Sequence, residues 1–285
     1  MIEVSPIAIV GTGLLGGSIG LGLRAVGYAG TIIGVGRRQS TLDKALSHGC
    51  VDEVSLDLAD AVGRSRLVIL ATPLGRFAPL LEQIAASDHE QLVVTDVGST
   101  KARVMADARR LLPQPRRFVG SHPMAGSERH GPEHAEADLF DHRPCIVVAE
   151  QDTDAPAIEM VSQLWSTLGM RVLRMTAEEH DRKVAAISHL PHALAVLLVE
   201  LAEEAEALGV ASSGFADTTR IAASDPDVWA DIFIHNPGGV VEAIDGYMDR
   251  LHRFRDVVAS GQRERIIDVL ARAKHVRDGW ASQNP

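Results

Sequence analysis

Ile7-Ala8-Ile9-Val10-Gly11-Thr12-Gly13-Leu14-Leu15-Gly16 is the stretch that decides the fold. Its four leading apolar residues read as a short parallel strand buried on both faces. The three glycines that follow open an apolar helical stretch running to about Gly27. A G-x-G-x-x-G turn between a strand and a helix is the fingerprint of a dinucleotide site. Its first glycine permits the tight turn, its second lets the backbone approach a pyrophosphate, and its third lets the helix lie close on the strand. The start of such a helix offers free N–H groups and the positive end of its dipole. Gly11, Thr12, Gly13, Leu14, Leu15 and Gly16 are therefore predicted to hold the cofactor, with Thr72 and Pro73 at the end of a later strand.

Further along, apolar runs alternate with helical patterns. Strands are predicted at 31–35, 67–71, 92–97 and 145–148, with helices through Lys44-Ala45-Leu46 and over 80–86. The alternation implies an α/β fold, a doubly wound parallel sheet of the Rossmann type, over residues 1–174. A ribose 2′-OH is ordinarily held by a carboxylate about 20 residues beyond the glycines. Here that place reads Gly34-Val35-Gly36-Arg37-Arg38-Gln39-Ser40-Thr41, and Asp43 lies too far into the next helix. Guanidinium groups bind phosphate oxygens in a bidentate fork. Arg37 and Arg38 thus favour NADP over NAD, unless they are plain surface charges and either cofactor is accepted.

The pattern changes near residue 175. Thr176-Ala177-Glu178-Glu179 is a capping box, and the sequence stays helical to about Leu208. Its middle, Leu194-Ala195-Val196-Leu197-Leu198-Val199, is apolar on nearly every side and is predicted to be buried all round. Asp225-Pro226 forms an N-cap with proline at the first helical position. Helices are expected over 240–259 and 262–279. Residues 175–285 thus read as an all-helical domain with no strands, completing its core in a homodimer.

The 285 residues carry a net charge of −10, which argues against a nucleic-acid partner. No continuous apolar run approaches the roughly 18–20 residues that cross a bilayer, and no signal segment is evident. Cys50 and Cys145 stand far apart without metal or disulfide spacing. A cytoplasmic protein with no membrane partner is expected.

His122, in Ser121-His122-Pro123-Met124-Ala125-Gly126-Ser127-Glu128, follows the apolar Phe118-Val119-Gly120. It is expected at the end of a sheet strand, facing the ligand crevice. From the residues alone, a general base and a histidine satisfied by loop carbonyls stand about level. His189 and His192, three apart on a helix, have no acidic third ligand at the usual spacing, so no metal is expected.

Several segments together resemble the prephenate/arogenate (cyclohexadienyl) dehydrogenase family of tyrosine biosynthesis. They are the glycine stretch through Ser18, Thr95-Asp96-Val97-Gly98-Ser99-Thr100-Lys101, His122-Pro123-Met124-Ala125-Gly126, Ser188-His189-Leu190-Pro191-His192 and Asp217-Thr218-Thr219-Arg220. The resemblance covers almost the whole chain in the right order. It implies oxidative decarboxylation of prephenate or arogenate with hydride transfer to NADP or NAD, a small-molecule substrate, and a homodimer formed through the helical domain. It implies His122 as the base on the ring 4-hydroxyl, and Ser99, otherwise a loop serine or a helix cap, as the residue holding that histidine and the ring. It implies Arg220 on the ring carboxylate and His192 near the far end of the substrate. Ser127 and Glu128 are implied beside the substrate, with Glu128 either a gating acid or a solvated loop glutamate. Asp217 and Trp229 match positions near the pocket, where the alternatives are an Asp217 that only orients Arg220 and a Trp229 that belongs to the core. Competing readings are a β-hydroxyacid dehydrogenase or pyrroline-5-carboxylate reductase type enzyme, and a non-catalytic NADPH sensor.

Overall fold

The computed structural model describes residues 2–127 and 129–283; Glu128 lies outside them. Six strands form one parallel sheet: β1 (Ile7–Val10), β2 (Ile32–Val35), β3 (Glu53–Ser55), β4 (Leu67–Leu70), β5 (Val93–Asp96) and β6 (Phe118–Val119). Their order is β3-β2-β1-β4-β5-β6, the doubly wound arrangement of a dinucleotide-binding domain. Side chains alternate along each central strand. Ile7, Ile9, Leu67 and Ile69 enter one hydrophobic cluster, while Ala8, Val10, Val68 and Leu70 enter the other. Burial on both faces is why these strands read as unbroken apolar runs.

The helices that cover the sheet are α1 (Leu14–Ala25), α2 (Gln39–Ser47), α3 (Leu58–Arg64), α4 (Phe77–Ala85), α5 (Ala102–Leu111) and α6 (Ala155–Thr167). A second sheet has the order β7-β8-β9, from β7 (Ser121–Pro123), β8 (Pro144–Val148) and β9 (Arg171–Met175). β7 pairs antiparallel with β8, and β8 parallel with β9. Two expectations are corrected here. His122 lies within β7 and Cys145–Val148 within β8, so both belong to this smaller sheet and not to the parallel one. An apolar run looks the same in either sheet, since burial and not strand direction sets its composition.

Beyond β9 the chain is helical: α7 (Ala177–Val184), α8 (Leu190–Glu204), α9 (Ser213–Thr219), α10 (Pro226–His235), α11 (Pro237–Ala259) and α12 (Arg263–Gln283). The Thr176 hydroxyl accepts from the Glu179 N–H at the start of α7, and Asp225 caps α10. A π-helical turn over Ala185–His189 joins α7 to α8. Pro191 accounts for it: the residue has no N–H, and its ring crowds the carbonyl four residues back, so the helix widens instead of breaking.

The predicted all-round burial of α8 is corrected as well. Leu197 is 58% exposed and Leu201 62%, and Ile187 in the preceding turn is 68% exposed. The apolar surface is real, but the elements packed around α8 in its own compact unit do not cover it. By length and composition, Ala177–Glu204 is also apolar enough to cross a bilayer, which no continuous run had suggested. Its first half nevertheless turns His180, Asp181 and His189 inward.

The chain divides into two compact units after Pro237. The second consists of α11 and α12, joined at Ser260-Gly261-Gln262, where Gly261 takes a positive φ of 64°. The sites described below lie in the first.

Candidate active site

At the carboxyl ends of β1 and β4, where the strand order reverses, a pocket of about 370 Å³ is lined by Gly11, Thr12, Gly13, Arg37, Arg38, Thr72 and Pro73. Gly11 has φ +99°, and a Cβ there would sit 2.6 Å from the Ala71 carbonyl oxygen. Only glycine fits both constraints. Gly13 differs, since a Cβ on it would meet nothing. Protein packing does not require that glycine, whereas a phosphate seated against the backbone would.

Two further features fit a dinucleotide. The hydroxyls of Thr12 and Thr72 are buried beside this pocket without a partner among the described residues. The start of α1 also has no side-chain cap, so its first N–H groups are open to an anion.

Leu14, Leu15 and Gly16 are not part of the lining. Leu14 and Leu15 pack into the core, and a Cβ on Gly16 would lie 2.0 Å from the Gly11 carbonyl oxygen. Among the described residues no Asp or Glu lines the pocket, and Arg76 adds a third guanidinium that the sequence had not singled out. Asp43 points elsewhere and accepts from Gln39.

A second pocket, of about 450 Å³, has small-molecule dimensions. It brings together Ser99, His122, Ser127 and Arg220. Arg143 and Arg220 both face it, and neither has an acidic partner among the described residues. Among the described lining residues Asp225 is the one carboxylate, and it is engaged by the Asp227 and Val228 N–H groups at the start of α10, with His130 at 3.9 Å. The cavity therefore suits an anion with more than one carboxylate. Trp229 also lines it, with His192 stacked at 3.5 Å between ring centroids. His192 is therefore outside the lining. Asp217 is exposed on α9, lies outside the lining too, and forms no ion pair with Arg220. The two pockets are tied together by Asp231 of α10, which accepts from the Gly75 N–H just after Pro73.

Sequence reasoning missed the framework that holds His122. Lys101 and Asp96 form a fully buried ion pair at 2.5 Å. The same carboxylate accepts from the N–H groups of Gly98 and Ser121, fixing the Ser99 turn and the start of β7 together. On its other side, His122 Nδ1 lies 2.9 Å from His180 Nε2, and His180 Nδ1 lies 2.8 Å from Asp181 Oδ1. The Asp181 carboxylate also accepts from the N–H groups of Lys101 and Ala102. Burial works against its charged form, but the bonds from His180 and the two amides prevail and hold its pKa below the ordinary value. Burial, reinforced by His180, Lys101 and His189, pushes the His122 pKa well below 6.5. The ring is therefore neutral at physiological pH and able to accept a proton.

Two family models match: "Prephenate dehydrogenase, nucleotide-binding domain" over residues 19–174, and "Prephenate dehydrogenase, dimerization domain" over 176–272. The chain belongs to the prephenate dehydrogenase family. A prephenate dehydrogenase of Bacillus subtilis is 35% identical over 96% of this chain and 75% of its own length. A cyclohexadienyl dehydrogenase of Zymomonas mobilis is 30% identical over 95% of this chain and 94% of its own. The crystal structure of the prephenate dehydrogenase of A. aeolicus, in complex with hydroxyphenyl propionate and NAD+, superposes with a TM-score of 0.92 at 32% identity, covering 98% of this chain and 99% of that one. The nucleotide-binding domain, and the NAD+ held by that relative, support a nicotinamide dinucleotide as the cofactor.

Proposed function

We propose that the chain is a prephenate or arogenate dehydrogenase, converting its substrate to 4-hydroxyphenylpyruvate or tyrosine with release of CO2. The observation that carries this reading is the meeting of His122, Ser99 and Arg220 in one pocket beside the dinucleotide site. Bound in that site, the nicotinamide supplies the acceptor for a hydride from ring C4. The His122 imidazole takes the proton of the 4-hydroxyl as that hydride leaves. The C1–carboxylate bond then breaks, its electron pair enters the ring, and the proton returns from His122 to the phenolate oxygen. No net proton is consumed. Ser99 and the pocket walls hold the hydroxyl against the imidazole, which places the reacting atoms before the barrier is climbed. Two guanidinium groups, Arg143 and Arg220, which have no acidic partner among the described residues, match a substrate with two carboxylates.

The test is the formation of reduced nicotinamide with prephenate and with arogenate, each with NAD+ and NADP+. Turnover with at least one substrate supports the reading. Cofactor binding without turnover of either acid would sink it. A homodimer through the helical stretch, which would cover the exposed face of α8, and a cytoplasmic location belong to the same reading.

NADP is the preferred cofactor in this proposal, because Arg37 and Arg38 border the pocket and no carboxylate does. Charge-assisted hydrogen bonds contribute about 1.5–3 kcal/mol. An Arg37→Ser/Arg38→Ser variant should therefore lose roughly tenfold or more in kcat/KM for NADP+ and change little for NAD+. Equal losses with both cofactors would contradict the preference.

Arg220 is assigned to the ring carboxylate. A salt bridge to a group that departs as neutral CO2 is strongest before the bond breaks, so it aids binding more than the chemical step. Arg220→Ala should raise KM roughly 10- to 100-fold and leave kcat within a few-fold. An unchanged KM with collapsed turnover would refute the assignment.

A further inference from the structure

We infer that Asp181 and His180 act as a positioning relay that fixes the tautomer of His122 and keeps its Nε2 bare toward the substrate pocket. The inference rests on the proposed role of His122 as the base and deepens it.

The argument follows the protons outward from the carboxylate. Asp181 can only accept. Its Oδ1 receives the Lys101 N–H at 2.7 Å and faces His180 Nδ1 at 2.8 Å, while its Oδ2 receives the Ala102 N–H at 2.9 Å. His180 Nδ1 must then carry the hydrogen, because a bare ring nitrogen at that distance would set lone pair against anion. A neutral His180 with its hydrogen on Nδ1 leaves Nε2 as an acceptor. His122 Nδ1, 2.9 Å away, must therefore donate. A neutral His122 that donates from Nδ1 has its lone pair on Nε2, the one ring nitrogen left for the pocket it lines. The chain of bonds is shielded throughout, since His180 is fully buried and Asp181 and His122 nearly so.

Burial and Lys101 outweigh the pull of Asp181 and Asp96 and keep His180 neutral. Around His122, Lys101, paired with Asp96 at the end of β5, stands on one side. His189 from the π turn stands on another, and Arg143 and Arg220 lie across the pocket with His130 and Asp225. Burial and nearby positive charge both disfavour an imidazolium at His122. Asn236 steadies the relay from behind, donating from Nδ2 to the Asp181 backbone carbonyl. His180 and Asp181 touch no substrate in this arrangement. They act through His122, as the buried acid of a catalytic triad acts through its histidine.

The test has two arms. The first is long-range proton–nitrogen NMR of ring-labelled protein with its cofactor, with His122 assigned by difference from His122→Gln. The proposal expects hydrogen on Nδ1 and a bare Nε2 on His122 at neutral pH, and the reverse pattern overturns it. This arm holds whether or not prephenate is turned over, so it separates failure of the relay from failure of the functional reading. The second arm is kinetic. His180→Leu removes the acceptor for His122 Nδ1 and should lower kcat roughly 10²- to 10³-fold with KM within a few-fold. His180→Gln can offer an amide oxygen near the same place and should restore kcat to within about tenfold of wild type. Unchanged kcat in a folded His180→Leu variant, or equal losses in both variants, would overturn the relay.

Discussion

Replacing His122 with alanine should lower kcat about 10²- to 10⁴-fold, the usual contribution of a positioned general base, while KM changes little. The carboxylate contacts assigned to Arg220 and Arg143 remain, so substrate should still bind. What is lost is the acceptor for the hydroxyl proton at the moment the hydride departs. The pH dependence gives a second signature. The working form of His122 is neutral, and burial together with His180, Lys101 and His189 holds its pKa well below 6.5. Wild-type kcat/KM should therefore stay level as pH falls through 6.5 and drop only at lower pH, as the ring protonates. The residual activity of His122→Ala should lack that acid limb. Steady-state kinetics across pH check both points, and a kcat/KM within tenfold of wild type would remove His122 from the mechanism.

The second large effect is on stability. Lys101→Met should destabilise the protein by roughly 3–5 kcal/mol, because it leaves the Asp96 carboxylate buried without its counter-charge. Asp96 and Lys101 are both completely shielded from solvent. Burial already pushes the Asp96 pKa up against the pull of Lys101 and its backbone donors. The N–H groups of Gly98 and Ser121 would still bind the carboxylate, but they cannot replace a full charge. Adding Asp96→Asn removes the stranded anion and should recover part of the loss. The recovery is incomplete, because an amide nitrogen must then face one of those two N–H donors. Urea unfolding of the two variants checks this, and a Lys101→Met protein within about 1 kcal/mol of wild type would contradict it.

Much of this was legible in the sequence, for reasons that can be named. The Gly11–Gly16 turn is readable because each glycine answers a local requirement of backbone or ligand, and local requirements leave local signatures. Arg37 and Arg38 followed from counting along a fold whose connections are regular, and Thr72 and Pro73 from standing at the end of an apolar strand. Ser99 and Arg220 could be placed only through the family resemblance. No local pattern says that residues 121 positions apart share a cavity. His180 and Asp181 were hidden because a charged pair near a helix start ordinarily marks a solvated face, and their burial depends on what Lys101 and Ala102 bring from another part of the chain. Lys101 stood inside a quoted motif without a role, since sequence does not show that a lysine is sealed from water. The cover of α8 is legible only in part: an all-apolar helix shows that something covers it, and sequence alone does not say whether that is the same chain or a second copy. The strand at Glu53–Ser55 escaped notice because it is a short edge strand with a polar face.

The most direct measurement is a crystal structure of the enzyme with NAD+ or NADP+ and 4-hydroxyphenylpyruvate. The phenolic oxygen should lie within hydrogen-bond reach of His122 Nε2, about 2.6–3.2 Å, with Ser99 beside it and the nicotinamide against the ring. A ring bound outside the cavity shared by His122 and Arg220, or a phenol turned away from the imidazole, would contradict the mechanism at its centre.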